Sequence, residues 1–386
     1  MSKRWLQALS IAMLGITTLV GCGGGGGGST TVVPVQTTRA STTSTNTSSY
    51  NGSGSVGDFF NITVDHAAQT ITYSNLTNGT SGTVTYTVNA DGSYALSDPG
   101  IVSAVEVKDM AMVLQCNNGG TNRNTPCLVT AVQSQAMTPQ DMYGNSYNYM
   151  QWRTNNGGVE IGYIDFDAQG NGAHMMYSPV FAQEGQASIH DQPFANTLFS
   201  AGPANQYVVL NGNNAQGTIF GTASGYVVFD TPNGSGVCMK ATTSSAFDPA
   251  NAGTYHAIRY SKSGAQENNN TESGTPDLGR VDVVVDGSGN LTVTDPANNN
   301  TLVFSGALTP VANASYLVGN NKFADPCNGM FTCRTTTANS QSDLFVTFMQ
   351  GSLFFSYYQT ALPYVAPFPG TNGTYDYSYG VGLKQS

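Results

Sequence analysis

The four histidines, His66, His174, His190 and His256, are the natural starting points for acid–base or metal chemistry in this chain. None stands in a His-Glu-x-x-His pattern, and no Gly-x-Ser-x-Gly turn presents a nucleophile at a strand end. His190-Asp191 and Asp65-His66 are the adjacent His and carboxylate pairs. Neighbours on a strand point to opposite faces, so adjacency makes neither a dyad, and no catalytic residue is assigned.

The best ion-site candidate is Asp165-Phe-Asp167-Ala-Gln169-Gly170-Asn171-Gly172. Asp165 and Asp167, two apart on a strand, share a face, and the Gly-rich turn adds backbone oxygens for a Ca²⁺. The run is similar to the start of an Asp-x-Asp-x-Asn/Asp-Gly calcium loop. It departs at Gln169, where Asn or Asp is expected, and at Met176, where a bidentate Glu is required. The same residues also read as a solvated strand end entering a turn.

Position in the cell is written more plainly. Lys3 and Arg4 precede an apolar run from about Leu9 to Val20 that is too short to cross a bilayer, the form of a cleaved export signal. The signal ends in Leu19-Val20-Gly21-Cys22, which matches the lipobox, so residues 1–21 resemble the leader of the bacterial lipoproteins. That resemblance implies diacylation of Cys22 at sulfur, cleavage before it, and anchoring to a membrane by two or three acyl chains. Gly23 at the next position is compatible with outer-membrane sorting, on the periplasmic or the surface face. Residues 22–56 then form a glycine- and hydroxyl-rich tether that cannot bury a core. At about 34 residues it spans roughly 30 Å as a random coil.

With Cys22 assigned to lipid, Cys116, Cys127, Cys238, Cys327 and Cys333 remain for an oxidising compartment. Cys116 and Cys127 flank an Asn/Gly-rich loop between two β-like runs, a hairpin spacing that a disulfide can close. Cys327 and Cys333 can close a smaller loop around Asn328-Gly329, and Cys238 can instead take either of them. No Cys-x-x-Cys spacing supports a metal site.

The elements that must position these residues are strands. From Phe59 onward, short β-rich runs recur about every ten residues between Gly, Asn and Asp turns, which predicts an all-β protein of antiparallel barrels or sandwiches. Two domains are expected, 57–200 and 201–386, split near the proline-bearing stretch Ser178 to Ala204. Internal similarity supports duplication: Gly82 to Pro99 and Gly279 to Pro296 each read strand, Asp-Gly turn, strand, Asp-Pro stop, so the two hairpins are expected at equivalent positions in two similar β domains. A second correspondence aligns Cys127 to Pro139 with Cys238 to Pro249. An aromatic strand follows each, and then a strand ending in Asp-x-x-Gly-Asn, at Asp167 and at Asp286.

Charged residues make up only 9% of the chain, so amides and hydroxyls must solvate the surface. Of the 13 Lys and Arg residues, two leave with the leader; 11 then face 23 Asp and Glu, a net charge of −12. With no basic cluster beyond the leader, nucleic acid is excluded as a partner. Leu353 to Tyr358 and Tyr375-Asp-Tyr377-Ser-Tyr379 offer aromatic strands for core packing or for stacking on sugars or a protein. The expected role is a lipid-anchored, non-catalytic envelope module whose partner is a glycan, a protein or a small apolar ligand in a barrel mouth. A structural envelope component and a secreted hydrolase are the alternatives. The lipobox, tether and duplicated layout together resemble, loosely, the two-lobed surface lipoproteins of the transferrin-binding type.

Overall fold

The computed structural model describes residues 46–98, 101–119, 125–134, 138–153, 158–170, 172–177, 192–194, 199–201, 207–211, 214–222, 225–231, 234–266, 271–272, 277–311, 329–336, 340–361 and 374–385. Their regular structure is antiparallel strand with a few single-turn 3-10 segments, as the alternating patterns and turn residues predict.

Three sheets follow one another along the chain. The first joins β1 (Thr47–Gly54), β2 (Phe59–Asp65), β3 (Thr70–Asn75), β4 (Thr80–Val88), β5 (Tyr94–Leu96), β6 (Ile101–Val107), β7 (Ala111–Gly119) and β8 (Thr125–Gln133) into a closed barrel. Closure is made by β1, whose Tyr50 pairs with Ile62 of β2 on one side and Gln133 of β8 on the other. The second sheet contains β9 (Ser146–Arg153), β10 (Gly158–Phe166), β11 (Gly172–Tyr177), β12 (Gln192–Phe194), β13 (Phe199–Ala201), β14 (Tyr207–Asn211), β15 (Asn214–Gly221), β16 (Tyr226–Thr231) and β17 (Gly234–Lys240). Its first strand again pairs its last, Tyr149 opposite Cys238, so the sheet is nearly closed and ends at the successive strands β12 and β13.

The third sheet repeats the plan with β18 (Gly253–Gln266), β19 (Thr271–Glu272), β20 (Asp277–Val285), β21 (Asn290–Asp295), β22 (Thr301–Ala307), β23 (Thr309–Pro310), β24 (Met330–Thr336), β25 (Ser340–Met349), β26 (Ser352–Ala361) and β27 (Thr374–Lys384). Here β18 pairs β27 and the ends of the sheet are β22 and β23. The all-β, antiparallel-barrel expectation therefore holds, and a ten-stranded sheet accompanies the closed and the nearly closed barrel.

The sheets divide the chain at places other than residue 200. That position falls inside β13, and the nine-stranded sheet takes strands from both sides of it. The tether is also shorter than expected, because residues 47–54 form β1. Seven of its eight residues are Thr, Ser, Asn or Gly, so it carries no apolar pattern. Close approach replaces apolar bulk: a Cβ on Gly52 would lie 3.0 Å from Ala131 Cβ, and one on Gly54 would lie 2.6 Å from Cys127 Sγ.

The Gly82 and Gly279 hairpins form as read, β4–β5 around Asp91-Gly92 (Gly92 φ 82°) and β20–β21. Yet β4–β5 are the fourth and fifth strands of the closed barrel, whereas β20–β21 lie near one end of the ten-stranded sheet. Their likeness is turn chemistry, and the positional equivalence expected for them is corrected. The other correspondence marks the joints between sheets. Cys127 and Cys238 sit on closing strands β8 and β17, and 3-10 turns at Pro139–Asp141 and Pro249–Asn251 lead into opening strands β9 and β18.

Alternation along the strands sorts the core. One cluster fills the closed barrel, including Ile62, Val64, Ile71, Val84, Met112 and Leu114. Another lies where all three sheets meet, with Phe59 and Val105 from the barrel, Trp152 and Phe220 from the second sheet, and Ile258 and Tyr379 from the third.

Candidate functional site

Polar side chains converge at one end of the closed barrel. On β6, Ala104 faces the barrel interior, Val105 faces outward, and Glu106 therefore faces inward again. Its side chain is 1% exposed, and a buried carboxylate needs donors to offset its desolvation. Tyr50 on β1 donates its hydroxyl to Glu106 Oε1, and Tyr94 on β5 donates to Oε2 at 2.5 Å. The Tyr86 ring of β4 stacks on Tyr94 with centroids 4.2 Å apart. His66, just past β2, brings Nε2 to 3.5 Å from Glu106 Oε1 and 3.2 Å from Ser48 Oγ. Ser48 donates to Asp109 Oδ1 at 2.7 Å, and the Asp109 N–H donates to the Tyr50 hydroxyl at 3.1 Å. Burial first and the Glu106 charge second push the Tyr50 hydroxyl well above its ordinary pKa; burial and the hydrogen bond to Glu106 do the same for Tyr94.

A serine, a histidine and two acids in contact invite comparison with a nucleophilic relay. A relay needs the acid on the ring nitrogen remote from the nucleophile. Here Ser48 and Glu106 both approach Nε2, while Nδ1 faces the Tyr86 hydroxyl at 3.5 Å. Ser48 is 2% exposed. The cluster is built to plug the barrel and tie its strands together.

A second cluster joins the barrel to the ten-stranded sheet. Arg280 on β20 reaches Asp91 Oδ2 at 2.6 Å and donates to Ser93 Oγ at 2.9 Å, both in the β4–β5 turn. The same guanidinium lies 3.2 Å from Asp282, whose carboxylate is 2.6 Å from His256 Nδ1. Burial works to raise the Asp91 pKa, but the hydrogen bonds from Ser93 and the Arg280 charge outweigh it and hold the group at about 2.

Cys22 and Cys327, the His190-Asp191 pair and the tether residues before 46 lie outside the described residues, as does most of the Ser178 to Ala204 stretch. Cys116 stands directly opposite Cys127 across β7 and β8, and no disulfide joins the described cysteines. Cys238 and Cys333 are buried in separate clusters, one in the second sheet and one in the third.

Asp165 Oδ1 accepts from Ser146 Oγ at 2.5 Å. Asp167 Oδ1 accepts from the Gln169 N–H at 2.8 Å, and the Asp167 carbonyl accepts from Gly170 N–H. Asp286 closes the β20–β21 turn with the same bonds, from Ser288 and Gly289. The acid of Asp-x-x-Gly-Asn is thus a turn-forming residue at both places, and Val284 stands where the first sheet position of an Asp-x-Asp pair would need a carboxylate. Among the described residues no group of three or more His, Cys, Asp or Glu side chains is placed to hold a metal ion.

The aromatic strands are used for packing. Tyr379 of β27 lies between Tyr260 of β18 at 5.0 Å and Trp152 of β9 at 4.2 Å, and Tyr377 is buried beside it. Phe354 and Phe355 of β26 enter different core clusters on the two faces of the sheet. Sequence reasoning missed Glu106, although an acid on the inward-facing parity of Ala104 was a readable signal.

The chain matches no protein-family model and no curated protein. Among solved structures it is similar to the crystal structure of isotype 1 transferrin-binding protein B from serogroup B Neisseria meningitidis. The match has 12% identity and a TM-score of 0.24, covering 86% of this chain and 66% of that one.

Proposed function

We propose that this chain is a lipid-anchored protein of the bacterial cell envelope, held at the outer membrane through Cys22, and that it is a non-catalytic module meeting a protein partner with the outside of its sheets. One observation carries the choice of partner: the interior of the closed barrel is occupied by its own side chains, Ile62, Ile71, Met112 and Leu114 in the body and the Glu106 cluster at one end. An eight-stranded barrel is just wide enough either to be filled or to hold one small ligand. Filling it argues against a small apolar ligand there. The stacked rings of Trp152, Tyr260 and Tyr379 are enclosed between sheets, which argues against their serving as a sugar platform. What remains for recognition is an exterior rich in amides and hydroxyls and poor in charge, a surface suited to hydrogen-bonded protein contact.

Anchoring is supported by the lipobox and by the length of hydroxyl-rich chain before β1. The test compares the parent with Cys22→Ser in cells. The parent is expected in the membrane fraction, and the variant as soluble product or unprocessed precursor. Crosslinking on intact cells then probes the partner. A Cys22→Ser variant that is processed and membrane-bound like the parent overturns the anchoring, and crosslinks containing only the chain itself overturn the interaction role.

A further inference from the structure

Cys116 and Cys127 are a cross-strand pair on the β7–β8 hairpin. Directly opposed residues of an antiparallel ladder hold their Cα atoms about 4.5 or 5.5 Å apart, inside the range that a disulfide spans. Both side chains belong to the cluster inside the barrel, so their sulfurs face the same side of the sheet. Only ten residues lie between the two cysteines in the sequence, so the pair meets as soon as this hairpin forms.

The closed barrel then covers them. Cys127 is 0% exposed and Cys116 6%. Strand β1 lies along β8 with Gly54 opposite Val129, and so close to Cys127 that a Cβ on Gly54 would stand 2.6 Å from its sulfur. A Cβ on Gly119 of β7 would stand 2.5 Å from the Cys127 Cβ, and the Ser55 hydroxyl just beyond β1 accepts from the Leu128 N–H at 3.1 Å, fastening this cover in place.

We propose that Cys116 and Cys127 are a folding-stage disulfide site, oxidised on the β7–β8 hairpin before β1 closes the barrel and sealed from redox reagents afterwards. The oxidant is a disulfide-bonded donor. The Cys116 thiolate attacks one donor sulfur and releases the first donor thiolate. The Cys127 thiolate then attacks the Cys116 sulfur of the mixed disulfide and releases the second. Two protein thiols and one donor disulfide become one protein disulfide and two donor thiols, with two electrons and two protons passing to the donor. In the closed barrel burial, and then the neighbouring Cys116 and Asp58, push the Cys127 thiol well above its ordinary pKa, so the nucleophilic thiolate is suppressed there. Where the donor is met in the cell rests on the export reading above, whereas the order of events does not.

The experiment uses the purified full chain and oxidised glutathione. Denatured, reduced chain is refolded with oxidised glutathione; a second portion is refolded under dithiothreitol, freed of it, and only then given oxidised glutathione. Arg123 lies between the two cysteines, so tryptic fragments 109–123 and 124–153 stay joined without reductant only if the pair is bonded. The first portion is expected to yield the joined fragments, and the second to oxidise at least about ten-fold more slowly. The joined fragments should also survive dithiothreitol in the folded chain and separate in denaturant. Fragments recovered apart, or joined to other cysteines, after refolding with the oxidant overturn the site. Equal rates in the two portions overturn the sealing. Neither result depends on export, which the Cys22→Ser localisation tests by itself.

Discussion

Tyr379 of β27 lies flat on Trp152 of β9, ring centroids 4.2 Å apart with 15° between the planes. The stack joins the ten-stranded sheet to the nine-stranded one inside the shared core. Buried aromatic truncation costs about 3–5 kcal/mol, so Tyr379→Ala is expected to lower unfolding stability by that amount in urea titration. Tyr379→Phe keeps the ring and loses only the hydroxyl's contact with Ser55, so it should stay within about 1.5 kcal/mol of the parent. Equal losses in the two variants would show that the hydroxyl, not the stack, joins the sheets.

Local instructions were legible and distant ones were not. Hairpin β20–β21 is complete in its own residues: alternating valines, a turn closed by Asp286, and an Asp295-Pro296 stop. The burial of both faces of β26 is visible in Leu353-Phe354-Phe355. Strand β1 escaped notice because glycine packing leaves no apolar trace, and the pairing that closes each sheet joins its first strand to its last. The inward parity of Glu106 on β6 was readable, but the partners that make it a cluster were not. The Ser48 to Asp109 bond spans 61 positions and the Tyr50 to Glu106 bond 56, separations across which periodicity carries no information.

Glu106 receives two tyrosine hydroxyls in a nearly dry site. Glu106→Ala leaves both donors without an acceptor, and at about 1–3 kcal/mol for each buried unsatisfied group the expected loss is about 2–6 kcal/mol. Glu106→Gln retains a carbonyl oxygen and the side-chain volume, and is expected to cost less than half as much. Thermal unfolding of the two variants measures the difference. If Gln is as damaging as Ala, the charge on Glu106 rather than its acceptor geometry holds the cluster.

Asp230 gives the alkaline side of the stability profile. On β16 it accepts from Ser53 Oγ of β1 at 2.7 Å, and burial pushes its pKa up to about 7. A folded pKa above the unfolded value of 3.8 means that the folded chain holds the proton more tightly. Its contribution is full below pH 4 and is lost as pH rises through about 7. Asp230→Asn removes the ionisation. The variant should match the parent near pH 4 and exceed it by about 2–4 kcal/mol at pH 8 to 9. A difference that does not change with pH would mean that Asp230 ionises without cost in the fold.

Asp91 and Arg280 set the acid side by the opposite sign. The Asp91 carboxylate is held at about 2, because the Ser93 hydrogen bonds and the Arg280 charge overcome burial, and Arg280 also helps to hold Asp282 below its usual range. A depressed folded pKa contributes stability that is present above about pH 4 and is lost as pH falls toward 2. Asp91 is 34% exposed in its side chain and Arg280 19%, so solvent screens the pair and Arg280→Gln is expected to cost only about 1 kcal/mol at pH 7. Its sharper effect is on the acid profile, since without the guanidinium both carboxylates titrate closer to their unfolded values. The parent should therefore lose stability between pH 4 and pH 2 more steeply than the variant, read from urea midpoints at half-unit steps. Because Asp91 sits in the barrel and Arg280 in the ten-stranded sheet, added salt should narrow the gap at pH 7. Parallel acid profiles for parent and variant would mean that the contact between these two sheets does not depend on this pair.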